Sequence, residues 1–153
     1  MAGTHHLPSQ LASLPTSLVA ETAEIARDCV HRSLAAVDAR EHHYLVLAAL
    51  REVDALTPSE LARATGLDGG DVAATVNILT RAGHVTRTAD DAARRRTRIT
   101  LTDTGRQRLD QLDRLLFRAQ AALLVGLTNR ERLQLIRLLT SVLDRHRTEL
   151  DHR

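Results

Sequence analysis

The sequence predicts a mostly α-helical chain with one small β-hairpin, and three observations predict it. Apolar residues recur at spacings of three and four along most of the chain, as on one face of a helix. Within 56–101 two short helices joined at a glycine give way to runs of Val, Ile and Thr around a polar tip, the pattern of a hairpin. Before and after that stretch, apolar stripes run longer than a chain of 153 residues can cover with its own core. Together these give a winged helix-turn-helix, a small β-wing behind two short helices, between long N- and C-terminal dimerisation helices. Four segments follow: an N-terminal arm over 1–10, a dimerisation helix over 11–39, the winged helix-turn-helix over 40–101, and C-terminal dimerisation helices over 102–153.

The arm has no basic start and no apolar run, which excludes a secretory signal. Val19, Ala23, Ala26, Val30, Ser33 and Val37 predict a first helix over 15–37. A second helix, over 40–53, turns Leu47 and Leu50 inward. Thr57, Pro58 and Glu60 form a capping box with proline at the first helical position, so a short third helix starts there and ends at Gly66. Asp68 caps a fourth helix whose buried face is Val72, Val76 and Leu79 and which Gly83 closes in a left-handed conformation. Strands are expected over 85–88 and 96–101, with the polar tip 89–95 between them. Thr102 caps a fifth helix that carries Leu109, Leu112, Leu115, Leu116 and Ala119 to about 125, and Gly126 breaks it. Thr128 and Glu131 make a second capping box, which opens a sixth helix with Leu135, Leu138, Leu139, Val142 and Leu143 on one face.

Composition narrows the function. A formal net charge of +2 permits nucleic-acid binding without demanding it. The basic residues are all Arg, and they crowd only at the wing, where Arg94, Arg95, Arg96 and Arg98 stand almost together. Such a density suits phosphate neutralisation and insertion into a narrow minor groove. The single Cys29 excludes an internal disulfide framework and is consistent with a reducing cytoplasm. No apolar run is long enough to span a membrane. The chain shows no nucleophile elbow, no phosphate-cradling glycine loop and no complete metal set, so no cofactor, metal or catalytic residue is assigned.

With SELARATGL, then a helix ending in RAGHV, then RRxxxIxLTxxGR, the sequence resembles the MarR family of dimeric winged-helix transcriptional regulators from about Glu41 into the last helix. The resemblance implies terminal helices interleaved about a two-fold axis, a near-palindromic double-stranded DNA operator, and release by a small anionic or aromatic ligand. Two positions depart from the family pattern. Ala93 stands where an acid usually precedes the wing arginine pair, and the recognition helix presents Gly69, Gly70, Asp71, Ala73, Ala74 and Asn77 where Arg, Ser or Thr are usual. Helical glycines cost about 1 kcal/mol each relative to Ala, and of these residues only Asn77 suits a base edge, with adenine as its expected partner.

The resemblance places the ligand between the dimer helices and the winged domain, where this chain supplies Arg27, His31, His42, His43, Tyr44 and Arg106. Arg27 and His31 lie one turn apart and suit a carboxylate; His31, His43 and Tyr44 equally suit surface or packing roles. Cys29, Glu41 and His42 are reminiscent of zinc-sensing relatives, but the fifth helix adds no histidine. A peroxide-reactive Cys29 is disfavoured by its apolar helix. The alternative function is a MarR-like scaffold that has lost specific DNA reading and binds or transforms a small metabolite in the dimer cleft through His31, His42, His43 or Tyr44.

Overall fold

In the computed structural model residues 13–89 and 97–150 are described; the arm over 1–10 and the wing-tip residues Arg94, Arg95 and Arg96 lie outside them. The element order is α1 (Pro15–Ala35), α2 (Glu41–Glu52), β1 (Ala55–Leu56), α3 (Pro58–Thr65), α4 (Gly69–Arg81), β2 (Val85–Ala89), β3 (Thr97–Leu101), α5 (Asp103–Leu123) and α6 (Asn129–Leu150). The chain forms two compact units, the first reaching Ala119 and the second starting at Gln120.

The first unit holds the buried core. Leu34 from α1, Val46, Leu47 and Leu50 from α2, Leu61 from α3, Val72 and Val76 from α4, Val85 and Ile99 from the strands, and Leu109 and Leu112 from α5 are almost wholly buried. The inward face expected for α4 is the one observed, with Thr75 added to it. The stripe expected along α1 is only partly an inward face. Its C-terminal end packs through Val30, Leu34 and the following Val37, whereas Leu18, Val19 and Ile25 are about half exposed. Leu34, one turn after Val30, joins that end just before the chain turns sharply: Ala39 N–H donates to the Leu34 carbonyl, and Asp38 takes a left-handed φ of 53°.

Capping explains where the short helices start. The Thr57 hydroxyl accepts from Glu60 N–H while Glu60 Oε2 accepts from Thr57 N–H at 2.8 Å, the reciprocal box expected at α3. Gly66 ends α3 at φ 72°, and Gly83 follows α4 at φ 74°, conformations open to glycine at little cost. At α4 the Asp68 carboxylate accepts from Asp71 N–H at 2.8 Å. A side chain at Gly70 would stand 3.1 Å from that carboxylate, so the glycine expected to weaken the helix also makes room for its cap.

The sheet has one strand more than the expected hairpin. β3 lies between β2 and β1, antiparallel to both, with Ala55 opposite Thr100 and Leu56 opposite Ile99. Two residues are too few to show alternation, and β1 exists because β3 offers it a free edge. The β2–β3 register runs from Val85 opposite Leu101 to Ala89 opposite Thr97, and the Thr86 and Thr100 hydroxyls share a hydrogen bond across it.

The second unit comprises the end of α5 from Gln120, a turn over 124–127 and α6. The Thr128–Glu131 box is present, with Glu131 Oε2 accepting from Thr128 N–H at 2.8 Å, and Arg132 Nε donates to the Leu127 carbonyl. The apolar face of α6 is uncovered: Leu133, Ile136, Leu138, Leu139, Val142 and Leu143 are between 41% and 69% exposed.

Candidate nucleic-acid interface

The outer face of α4 follows from its inner one. Because Val72, Thr75, Val76 and Leu79 turn inward, Gly69, Gly70, Ala73, Ala74 and Asn77 all face solvent, as expected for residues reading a groove. That row is nearly bare. Besides Asp71, exposed in the first turn, Asn77 is its one side chain with hydrogen-bonding groups, and it is already engaged: Arg87 Nη2, on β2, donates to Asn77 Oδ1 at 2.8 Å. Both residues are exposed. The wing strand thus contributes Arg87 to the outer face of α4, a residue that the sequence does not mark because it stands apart from the arginine cluster.

Arg98 has a different setting from the one expected of a wing arginine. It is half-buried on β3, and its Nη1 donates to the Ala55 carbonyl at 3.1 Å, which braces β1 against β3. Arg94, Arg95 and Arg96 fall outside the described residues.

Behind α4 the junction into α5 is tied tightly. Thr102 Oγ1 accepts from Gly105 N–H at 2.9 Å, capping α5 as expected, and donates to the Gly83 carbonyl at 2.7 Å. Thr102 N–H donates to the His84 carbonyl. One threonine therefore fixes the start of α5 to the turn that closes the recognition helix, which gives a physical reason for the LTxxG spacing.

The residues expected to meet a ligand are not joined to one another. Arg27 and His31 are exposed on α1, and Arg27 Nε donates to its own helix at the Ala23 carbonyl. Arg106 is exposed at the start of α5 and His42 is half-buried at the start of α2. Tyr44 is taken up elsewhere. Its hydroxyl donates to Asp113 Oδ1 at 3.0 Å, and Asp113 Oδ2 accepts from Arg51 Nη1, a three-residue link between α2 and α5. Burial and then the Asp113 hydrogen bond push the Tyr44 phenol above its ordinary pKa. Cys29 points across to α5, its thiol donating to the Ala119 carbonyl at 3.6 Å.

A polar group unforeseen in the sequence lies nearby. Arg108, on α5, donates to the Val37 carbonyl in the turn after α1 and to Gln111 Oε1. Around it stand His43, whose Nδ1 accepts from Arg40 N–H, and His84. His43 Nε2 and His84 Nδ1 are buried without a hydrogen-bond partner among the described residues. Burial lowers the pKa of both imidazoles, followed for His43 by the positive charges of Arg40 and Arg108 and for His84 by that of Arg108. The signal for Arg108 was absent from the sequence because an arginine on an amphipathic helix normally marks its solvated face.

Residues 37–96 match the family model described as the MarR family. No curated protein matches the chain. Among solved structures the chain is similar to BpsR of Bordetella bronchiseptica, described for regulation of its DNA binding by 6-hydroxynicotinic acid. Identity is 21% over 90% of this chain and 99% of that one, with a TM-score of 0.73. It is also similar to a mutant MarR from E. coli complexed with operator DNA, at 24% identity over 84% of this chain and 92% of that one, with a TM-score of 0.70. A third is a Mycobacterium tuberculosis MarR family protein in complex with salicylic acid, at 23% identity, 85% and 96% coverage and a TM-score of 0.68.

Proposed function

We propose that this chain, a MarR-family protein through its residues 37–96, is a homodimeric, ligand-responsive DNA-binding repressor. The observation that carries the reading is the outward row of α4: Gly70, Ala73, Ala74 and Asn77 face solvent opposite a fully buried side, with Arg87 of the wing strand bonded to Asn77. A nearly bare helix lets its backbone approach a groove closely, while the wing arginines Arg94, Arg95 and Arg96 supply sequence-independent affinity through phosphates. An E. coli MarR of similar fold, described in complex with operator DNA, supports a DNA-binding use of the fold.

The dimer rests on uncovered apolar surface. Leu18, Val19 and Ile25 on α1, Phe117 on α5 and the row from Leu133 to Leu143 on α6 are exposed in one protomer, more than isolated chains usually leave in water. A two-fold partner covers such surface and presents two recognition helices to half-sites about one DNA turn apart, hence a near-palindromic site.

Ligand response is supported by the similar folds described with 6-hydroxynicotinic acid and salicylic acid. Arg27, His31, His42 and Arg106 are the groups we assign to such a small anion. Among the described residues no hydrogen bond ties any of the four to another of them. Tyr44 contributes its ring alone, since Asp113 holds its hydroxyl. The metabolite-transforming alternative is weakened by the same geometry, because Tyr44 is bound to Asp113 and His43 Nδ1 to Arg40 N–H.

The test is a titration of the purified protein against the DNA upstream of its own coding sequence and a scrambled duplex, at several salt concentrations. Preference for the upstream DNA by roughly a thousandfold or more is expected of a specific regulator, with release on adding salicylate. Weak binding equal on both duplexes refutes the reading.

A further inference from the structure

We propose that Arg87 sets the base specificity of α4: by turning the Asn77 carbonyl oxygen towards itself it leaves a donor-rich surface that reads guanine rather than adenine. The inference rests on the proposed DNA-binding function and deepens it. Its first step is an identity that hydrogen-bond chemistry enforces. Guanidinium has donors and no acceptor, so the Asn77 atom 2.8 Å from Arg87 Nη2 is the oxygen, and the amide nitrogen turns the other way.

The second step concerns what the helix then offers. Adenine presents N7 as an acceptor and its N6 amino group as a donor, and a bidentate asparagine answers with one donor and one acceptor. Here Arg87 Nη2 takes one of the two lone pairs of Oδ1 and turns the oxygen towards the guanidinium, so the amino group of adenine meets a donor-rich edge. Guanine presents two acceptors, N7 and O6. The Asn77 amide nitrogen and the outer edge of Arg87 are donors in the same place. Gly70, Ala73 and Ala74 carry no polar side-chain atom, and the exposed Asp71 lies nearly two turns before Asn77.

The third step is that the pair is held by the fold. Asn77 lies one turn beyond Ala73 and Ala74, on the exposed face of a helix whose opposite face is buried. Arg87 stands on a strand whose register is pinned on both sides, Thr86 opposite Thr100 and Thr88 opposite Arg98. Arg87 is thus a positioning residue for Asn77 as well as a donor of its own.

The experiment is selection of binding sites from a randomised duplex library by the wild-type protein and by Asn77→Ala, Arg87→Met and Arg87→Lys. The position that loses its preference in Asn77→Ala marks the base that Asn77 reads. Guanine is expected there for the wild type, and a shift towards adenine for Arg87→Met, which frees the oxygen. Arg87→Lys keeps guanine, because an ammonium still donates to Oδ1. Replacing that guanine by 7-deazaguanine weakens the wild type roughly tenfold and weakens Asn77→Ala less. Adenine at that position in the wild type overturns the assignment. So does an Arg87→Met protein that binds every sequence more weakly with its preference intact, since Arg87 then only neutralises a phosphate. Both results leave the DNA-binding function standing. Failure of the wild type to enrich any sequence removes that function and the assignment with it.

Discussion

Gly105 packs against the carbonyl oxygen of His84 so closely that a Cβ on it would overlap that oxygen and stand 2.8 Å from the Leu101 side chain. The obstacle is backbone, and Thr102 N–H already holds that carbonyl, so it has nowhere to move. Gly105→Ala should therefore force α5 away from the turn after α4, at a cost of about 1–3 kcal/mol or more. Urea unfolding checks this, with Gly126→Ala as the control because its Cβ meets open space. Equal midpoints for the two variants would show that the junction is not under this constraint.

Local features of the fold and contacts between distant residues were unequally legible in the sequence. Capping boxes at Thr57 and Thr128, the left-handed Gly66 and Gly83 and the inward face of α4 follow local rules that a sequence displays, and each appears where expected. Strand β1 and the Arg87–Asn77, Tyr44–Asp113 and Arg108–Val37 bonds depend on partners between 10 and 71 positions away, and no spacing rule connects those residues. The same limit explains Arg98. An arginine cluster in sequence reads as one patch, yet strand alternation sends Arg98 to the Ala55 carbonyl. The long stripe on α1 is inward over only part of its length because periodicity reports an apolar face without saying whether the same chain or another covers it.

Glutamates on the uncovered face of α6 separate those two possibilities. Leu139→Glu with Val142→Glu adds charge where both residues are exposed in one protomer, 41% and 58%, so the fold of a single chain has little reason to suffer. Sedimentation equilibrium should give a dimer for the wild type and a monomer for the double variant, with helical circular dichroism retained. A monomeric wild type would remove the two-fold arrangement, and a variant that stays dimeric would move the interface off α6.

The wing arginines should act through counterions. Arg94→Ala with Arg95→Ala is expected to weaken binding to every DNA sequence alike and to flatten the dependence of log K on log salt, by roughly 0.9 for each phosphate that is no longer neutralised. Binding titrations at four or so salt concentrations measure the slope. An unchanged slope excludes these two side chains from phosphate neutralisation.

Tyr44 should make the protein sensitive to alkali. Its folded pKa is raised above 10.0, first by burial and then by the bond to Asp113. Between the unfolded and folded values the native state keeps a proton that the unfolded chain has lost, so stability is complete below about 10 and declines as pH rises through the folded value. Tyr44→Phe should cost about 0.5–1.5 kcal/mol near neutrality and remove this alkaline decline. Denaturation midpoints across that range check both effects, and a Phe variant with the wild-type alkaline profile would assign the decline to other groups.

Acid should act through two other partly buried groups. His43 and His84 are held neutral, with folded pKa values below 6.5, chiefly because burial disfavours their charged forms and Arg108 lies beside both. Below 6.5 the unfolded chain binds protons that the native state refuses, so stability rises with pH there: it is fully present above 6.5 and is lost as pH falls through the folded values. Protonation at His43 Nδ1 would also end its acceptance of the Arg40 N–H, the bond that starts α2. His43→Gln keeps an acceptor for that N–H and does not titrate, and His84→Gln removes the second site. Urea midpoints followed from about pH 8 to about pH 5 should fall for the wild type and fall less in each variant, least in the double. A wild-type acid slope that both substitutions leave intact would place the proton uptake elsewhere, and would mean that the two orphaned imidazole nitrogens beside Arg108 exchange protons as readily as solvated ones.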